Sequence, residues 1–307
     1  MLDLFILQVI GGAQFGVLLF LVAAGLTLVF GIMDFINLAH GVLYMVGAYL
    51  MASFAAMTGN FWFGLLLTIP SILVLGVFLE VTVFRKLYDR PHLDQVLATM
   101  ALMMMISEVV RMIWGAAPMN VAMPDSLSAS IPLIGPMRFP VYRLAIIGTG
   151  LGVALFLWLV IQRTRIGMLL RAGASRRDMV SALGVDISKL FMLVFAFGAM
   201  LAGFAGAIVS PVLSVSPGMG DSILILTFVV IVVGGVGSIK GAFIAALMIG
   251  IIDTVGRIFG PIVLREIMEP AAAAQLGRTL APMLIYILMA AVLFFRPAGL
   301  FGRSHAK

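Results

Sequence analysis

The sequence predicts an all-α polytopic membrane protein, a bundle of eight to nine transmembrane helices with one or two broken or re-entrant segments. Three observations carry this reading. Of 307 residues, 63% are apolar and only 10% charged, beyond what a soluble domain buries. Apolar runs of about 18 residues or more recur along the chain, the length that crosses a hydrocarbon core as a helix. These runs are continuous and rich in Leu, Ile, Val, Phe, Met and Ala, without the alternation of a membrane strand. The 33 glycines suit closely packed helices. The lack of cysteine excludes disulfides and thiolate metal sites. The net charge of +6 is gathered in a few loops and calls for no nucleic-acid partner. The N-terminal stretch MLDLFILQVI has no basic n-region, so it reads as a retained span and not a cleaved signal peptide.

A first span covers residues 5–30 and a second 38–57. The connector between them, GIMDFINLAHG from Gly31 to Gly41, has no Lys or Arg and sets Asp34, Asn37 and His40 among apolar residues. A short loop is the plain reading. A broken helix or re-entrant turn is the alternative, tolerated at depth only where it lines protein or a water-filled path. A third span follows Phe61 and ends near Phe84, before a charged loop of Arg85, Lys86, Asp89 and Arg90 closed by Pro91. The fourth, residues 95–114, leads into an outward loop, 115–140, whose five prolines argue against helix. The fifth runs over 141–161, the sixth over 190–212 and a short seventh over 223–233. The glycine-rich GGVGSIKG, 234–241, then opens an eighth span reaching residue 259, and a ninth covers 280–295. We treat 1–307 as one transmembrane domain.

The one long polar interval between apolar spans runs from Arg163 to Lys189 and holds six of the nineteen basic residues, so it lies outside the bilayer. Ser175 stands three residues before Asp178, a helix-start pattern, and Gly184 falls where a left-handed cap would close two turns. The spacing predicts a short helix over 176–183, with Met179, Val180 and Leu183 on one side. Such a knob fits either a protein partner or an anionic lipid surface. Placing the loops at 85–90, 163–189 and 240 and the tail from 296 in the cytoplasm collects thirteen of nineteen Lys and Arg residues there. The N-terminus is then outside with nine crossings, or eight if one of the first two segments does not cross, and the C-terminus is cytoplasmic.

Gly198, Ala202 and Gly206 repeat every four residues beside Ala199, Gly203 and Ala207, and Gly237, Gly241 and Ala245 do the same later. These faces should mark close helix crossings. GGVGSIKG is not a phosphate loop, because Lys240 follows Ile239 and precedes Gly241; its glycines Gly234, Gly235 and Gly237, with Ser238, fit a break facing a path or hinge. Glu108 with Arg111, and Asp253 with Arg257, can neutralise each other within one helix. Glu80, a turn from Arg85, is expected to snorkel inward. Asn37, His40 and Tyr44, spaced three and four apart, form a polar stripe that touches a solute or bonds a neighbouring helix. Histidines 40, 92 and 305 have no metal-ligand spacing, and no nucleotide motif or catalytic constellation is present. The chain is expected to be no enzyme and to bind no metal or cofactor.

Four stretches carry a family resemblance: GLTLVFGIMDFINLAHGVLYMVGAYL (25–50), RAGASRRDMVSALGVD (171–186), VVGGVGSIKGAFIAALMIG (232–250) and RPAGLFG (296–302). In order and over nearly the whole chain they resemble the LivH-type permease subunits of bacterial branched-chain amino acid ABC importers. The resemblance implies a bacterial inner-membrane protein working with a second related permease, two cytoplasmic ATPases that use ATP, and a periplasmic solute-binding protein. It implies that Arg171, Ala172, Arg176, Asp178, Ala182 and Gly184 belong to the ATPase-coupling segment. The outward loop 115–140 would receive the binding protein. Asn37, His40, Tyr44, Gly234, Gly235, Gly237 and Ser238 are the candidate translocation path. Similar motifs occur in permeases for amides and urea, and a secondary carrier or passive channel is the remaining alternative.

Overall fold

The computed structural model describes residues 1–134, 137–175 and 177–302. Among them, eight helices are long and apolar enough to cross a membrane: α1 (Leu2–Met33), α2 (His40–Thr58), α3 (Phe61–Thr82), α4 (His92–Trp114), α5 (Val141–Arg163), α8 (Ile187–Val209), α10 (Ile239–Leu264) and α11 (Pro270–Phe295). The helix α9 (Met219–Gly234) is apolar but has only 16 residues. The eight correspond to the expected spans other than the short seventh, which is α9. The polar interval holds two short helices where the pattern predicted one, α6 (Arg165–Ser175) and α7 (Arg177–Ala182). The loop at 115–140 carries a small hairpin of β1 (Ser130–Ile134) and β2 (Met137–Pro140), antiparallel with a register shift between Pro132 and Ile134.

The chain divides into two compact units, to both of which α1, α5 and α9 contribute. One comprises residues 21–124 and 152–227 and is built around α2, α3 and α8. Here the small residues do what their spacing implies. Gly47 of α2 lies against Gly203 of α8, Gly206 against Tyr44 and Ala48, Gly25 of α1 against Gly198, and Gly76 of α3 against Ala196 and Ala199. Backbones approach this closely only where no side chain intervenes, which is how helices gain packing when water offers no driving force between them. A tight turn joins α2 to α3: Gly59 takes the left-handed conformation (φ 64°), and the Asn60 side chain accepts from the N–H groups of Trp62 and Phe63. Between α3 and α4 a 3-10 turn, Phe84–Lys86, turns Phe84 inward against Phe195 of α8, ring centroids 4.3 Å apart.

The other unit comprises residues 1–20, 125–151 and those from 228 onward. Gly12 and Gly16 of α1 pack on Ala246, Leu247, Gly250 and Ile251 of α10, while Gly277 of α11 lies against Pro261 of α10. Phe20 meets Phe243 edge to face at 5.1 Å and Phe5 meets Phe259 at 5.8 Å. The ion pairs anticipated within single helices are present: Glu108 with Arg111 at 3.1 Å on α4, and Asp253 with Arg257 at 2.8 Å on α10.

Candidate functional site

Residues 34–39 neither continue α1 nor form a surface loop. Asp34 leaves the helix with φ 50°, and Phe35, Asn37 and Ala39 are buried. His40, the first residue of α2, places Nε2 3.1 Å from the carbonyl of Val22, and its ring lies beside Gly25. Both positions are two to three turns back from the end of α1. The connector is thus a re-entrant segment that returns along α1 before α2 begins. An irregular backbone in an apolar interior needs partners, and α4 supplies them. Gln95 Oε1 accepts from the N–H of Ile36 (3.3 Å) and Thr99 Oγ1 from that of Leu38 (3.2 Å). The Gln95 amide also donates to the carbonyls of Leu87 (3.3 Å) and Arg90 (3.0 Å), so one side chain ties the connector to the α3–α4 loop.

Beneath the connector lies a polar group with an aromatic surround. Glu80 is wholly buried, so it does not snorkel to the inner surface as its position suggested. Its carboxylate accepts from Arg85 Nη2 at 2.9 Å, Arg85 Nε at 3.3 Å and the Tyr88 hydroxyl at 3.2 Å. Burial, then the neighbouring Glu80 charge, pushes the Tyr88 phenol up, so it stays a neutral donor. The Tyr88 ring touches Phe35 at 5.5 Å and Phe191 at 5.6 Å. Gln95 and Thr99 are the connector's partners that the sequence reading missed. Their spacing of four on an otherwise apolar helix was the available signal.

Of the expected polar stripe, His40 and Tyr44 lie one turn apart on α2, both buried, whereas Asn37 precedes the helix. Asn37 is 0% exposed, and neither Oδ1 nor Nδ2 has a hydrogen-bond partner among the described residues. The segment from Gly234 to Ser238 is a turn. Gly235 and Gly237 take φ of 97° and 78°, and Ser238 caps α10 by accepting from the Gly241 N–H at 3.1 Å. The tail closes onto this turn: the N–H of Leu300 reaches the carbonyl of Val233 (2.9 Å) and that of Phe301 the carbonyl of Gly234 (3.0 Å). Lys240 Nζ sits 5.1 Å from the Phe301 ring centroid. The last two carbonyls of α9, freed at its end, are thereby occupied.

In the polar interval, Arg171 of α6 donates through Nη1 to the carbonyl of Ile161, and Ala172 is half-buried. Arg176 lies outside the described residues, and Asp178 is placed only by its backbone, in α7. Ala182 ends α7, and Gly184 closes it at φ 84°. The N–H of Gly184 bonds the Ser181 carbonyl and that of Val185 the Val180 carbonyl, the paired bonds of a left-handed glycine cap. Val180 packs inward while Met179 (57%) and Leu183 (82%) are exposed, so α7 presents an apolar knob. Asp186 then caps α8 by accepting from the Lys189 N–H at 3.1 Å. That bond, with the Lys189 ammonium 3.2 Å away, holds the Asp186 carboxyl below the ordinary aspartate range.

Comparison with known sequences places these features. Residues 8–295 match the family described as the permease component of branched-chain amino acid transport systems. The chain is 28% identical to the high-affinity branched-chain amino acid transport system permease protein BraD of Pseudomonas aeruginosa, covering 98% of this chain and 96% of that protein. It is 26% identical to the corresponding LivH permease of Escherichia coli K12, over 99% and 97% of the two chains. The ribose import permease protein RbsC of Haemophilus influenzae is 26% identical over 72% of this chain and 70% of its own. No solved structure matches.

Proposed function

The chain belongs to the family of branched-chain amino acid transport permease components, and from that premise we propose that it is one of two membrane-spanning subunits of an ATP-driven importer. The importer carries branched-chain amino acids inward across a bacterial inner membrane. The observation that carries this reading is the family match over residues 8–295. Two cytoplasmic ATPases use the ATP, this chain binding no cofactor itself, and a periplasmic binding protein delivers solute to the loop at 115–140. The positive loops and the C-terminus face the cytoplasm. There α6 and α7, with Arg171, Ala172, Arg176, Asp178, Ala182 and Gly184, form the coupling segment, and Met179 and Leu183 fill a groove on an ATPase. Closure of the ATPases moves α7 and, through α8, changes which side of the bundle is open. Solute passes Asn37, His40, Tyr44 and the turn from Gly234 to Ser238. Similarity to a ribose permease supports a second reading, the same architecture serving another small polar solute.

Pulling the tagged chain from detergent-solubilised native membranes tests the assignment. Co-purification of an ATPase and a second permease is the expected result. A lone chain that moves solute into liposomes without ATP would sink it. In the same complex, Gly184→Val, which forces a β-branched residue to φ 84°, should leave assembly intact and uncouple ATP hydrolysis from uptake. Uptake at the wild-type ratio to hydrolysis would remove α7 from the coupling role.

A further inference from the structure

The chain between α8 and α9, residues 210–218, does not cross over the end of the bundle but turns back into it. Its far end is fixed by Gly220, the second residue of α9, whose backbone packs on that of Gly41, the second residue of α2. This contact is deep. His40, beside Gly41, and Gly198 both lie against Gly25 of α1, and Gly198 is the twelfth of the 23 residues of α8, its midpoint. Val209 ends α8 eleven residues further on, about 16 Å along the helix axis. The linker covers that depth without a helix. The N–H groups of Val212 and Leu213 turn back to the Val209 carbonyl, that of Met219 bonds Ser216, and Gly218 takes φ 91°. Non-helical backbone at such a depth is tolerated only where it lines protein or a water-filled path. Ser214 is exposed and Ser216, Pro217 and Gly218 are half-buried, so the linker keeps an open polar side. The segment that leaves α4 runs beside it. Met119 and Val215 exchange both backbone hydrogen bonds at 2.8 Å, and the Ser214 hydroxyl donates to Asn120 Oδ1 at 2.9 Å. The pairing stops at this one bridge, because Pro118 and Pro124 on one stretch and Pro211 and Pro217 on the other cannot donate to a longer ladder. Left-handed glycines, Gly115 at φ 81° and Gly218 at φ 91°, stand beyond it. Three bonds between segments that proline keeps from zipping together form a contact that can part locally.

We propose that residues 210–218 line the outward mouth of the translocation path and that the Met119–Val215 bridge, with Asn120 and Ser214, is its latch. This deepens the importer reading and rests on it. Closed, as described here, the latch ties 115–124 to the linker and so holds the start of α9 against α2. The solute-binding protein seats on 115–124, the stretch that carries one half of the latch. Its docking draws Met119 and Asn120 away from Val215 and Ser214. The linker is then free to move, α9 leaves α2 at the Gly41–Gly220 contact, and solute enters beside His40 and Tyr44. The two glycines let the helix ends close again without a side chain between them.

The test uses the complete importer in proteoliposomes, with leucine as solute. Asn120 and Ser214 face each other beside a pair that exchanges both its bonds, a position where Cα atoms lie about 4.5 Å apart, within disulfide reach. The chain has no cysteine of its own, so Asn120→Cys with Ser214→Cys gives one defined cross-link. Under oxidant, ATP-driven uptake by the double variant should fall about tenfold or more, as for a gate held shut, and return on reduction. Each single variant under the same oxidant should import as wild type does. Uptake by the oxidised pair within about twofold of its reduced form overturns the latch. A second measurement needs no cross-link and probes the mouth itself. Ser216→Cys in right-side-out membrane vesicles should react with a membrane-impermeant maleimide added outside. A thiol there that stays unlabelled in a complex still importing leucine overturns the mouth, and the latch with it. A wild-type complex that imports no branched-chain amino acid overturns the importer reading, and this inference with it.

Discussion

Glu80 and Arg85 show how unequal the two ends of one ion pair are. Glu80 has no exposed surface, whereas the Arg85 side chain is 41% exposed. Removing the acid leaves a guanidinium that reaches water; removing the base leaves a carboxylate in an apolar setting with only the Tyr88 hydroxyl. Taking one partner from a buried pair is the costly event. Arg85→Met should therefore lower the melting temperature of the detergent-solubilised protein more than Glu80→Gln. Equal losses, or the reverse order, would mean that Glu80 is reached by water. The same asymmetry explains why sequence spacing misread the pair: a separation of five residues indicates that two charges can meet, but not which of them the fold encloses.

Individual elements hold their ends by short-range chemistry, and the start of α8 can be tested by titration. The Asp186 carboxyl is held low by the Lys189 N–H and ammonium. Its folded value lies below its unfolded one, so its contribution is present above the ordinary aspartate range of about 4 and is lost as pH falls through the depressed value. Thermal unfolding of wild type and Asp186→Asn, compared from neutral pH downward, should show wild type the more stable at pH 7. The gap should close below about pH 4. A gap that is constant with pH would assign the cap to hydrogen bonding alone. The Asp186 cap sits in a segment whose Gly184 turn was legible beforehand, because a glycine two turns past a helix start has few other uses. The helix α6 was not, since its apolar residues are interrupted by Arg165, Arg171 and two glycines, a pattern that as readily describes a loop.

At the level of the molecule, the spans were readable because each is a continuous apolar run, and the helix crossings because small residues repeat at four. The sites were less so. Asn37, His40 and Tyr44 were visible as polar residues in an apolar setting, but their grouping assumed one helix, and the re-entrant connector breaks it. The contact of Gly41 with Gly220 and the tail's bonds to Val233 and Gly234 join distant stretches, and no local pattern encodes them. The bonds from Ile36 to Gln95 and from Leu38 to Thr99 span 59 and 61 positions, and that separation also matters during synthesis. The connector leaves the ribosome well before α4 exists, and its N–H groups have no partner in lipid until then. The first two helices must enter the membrane with the connector still at the water interface, and α4 draws it to depth afterwards. The protein has no cysteine, so Ile36→Cys gives a single reporter. Nascent chains halted with α4 still in the ribosomal tunnel should expose it to a water-soluble thiol reagent, and chains carrying α4 should shield it. Equal shielding at both lengths would mean that the hairpin buries its own backbone at insertion.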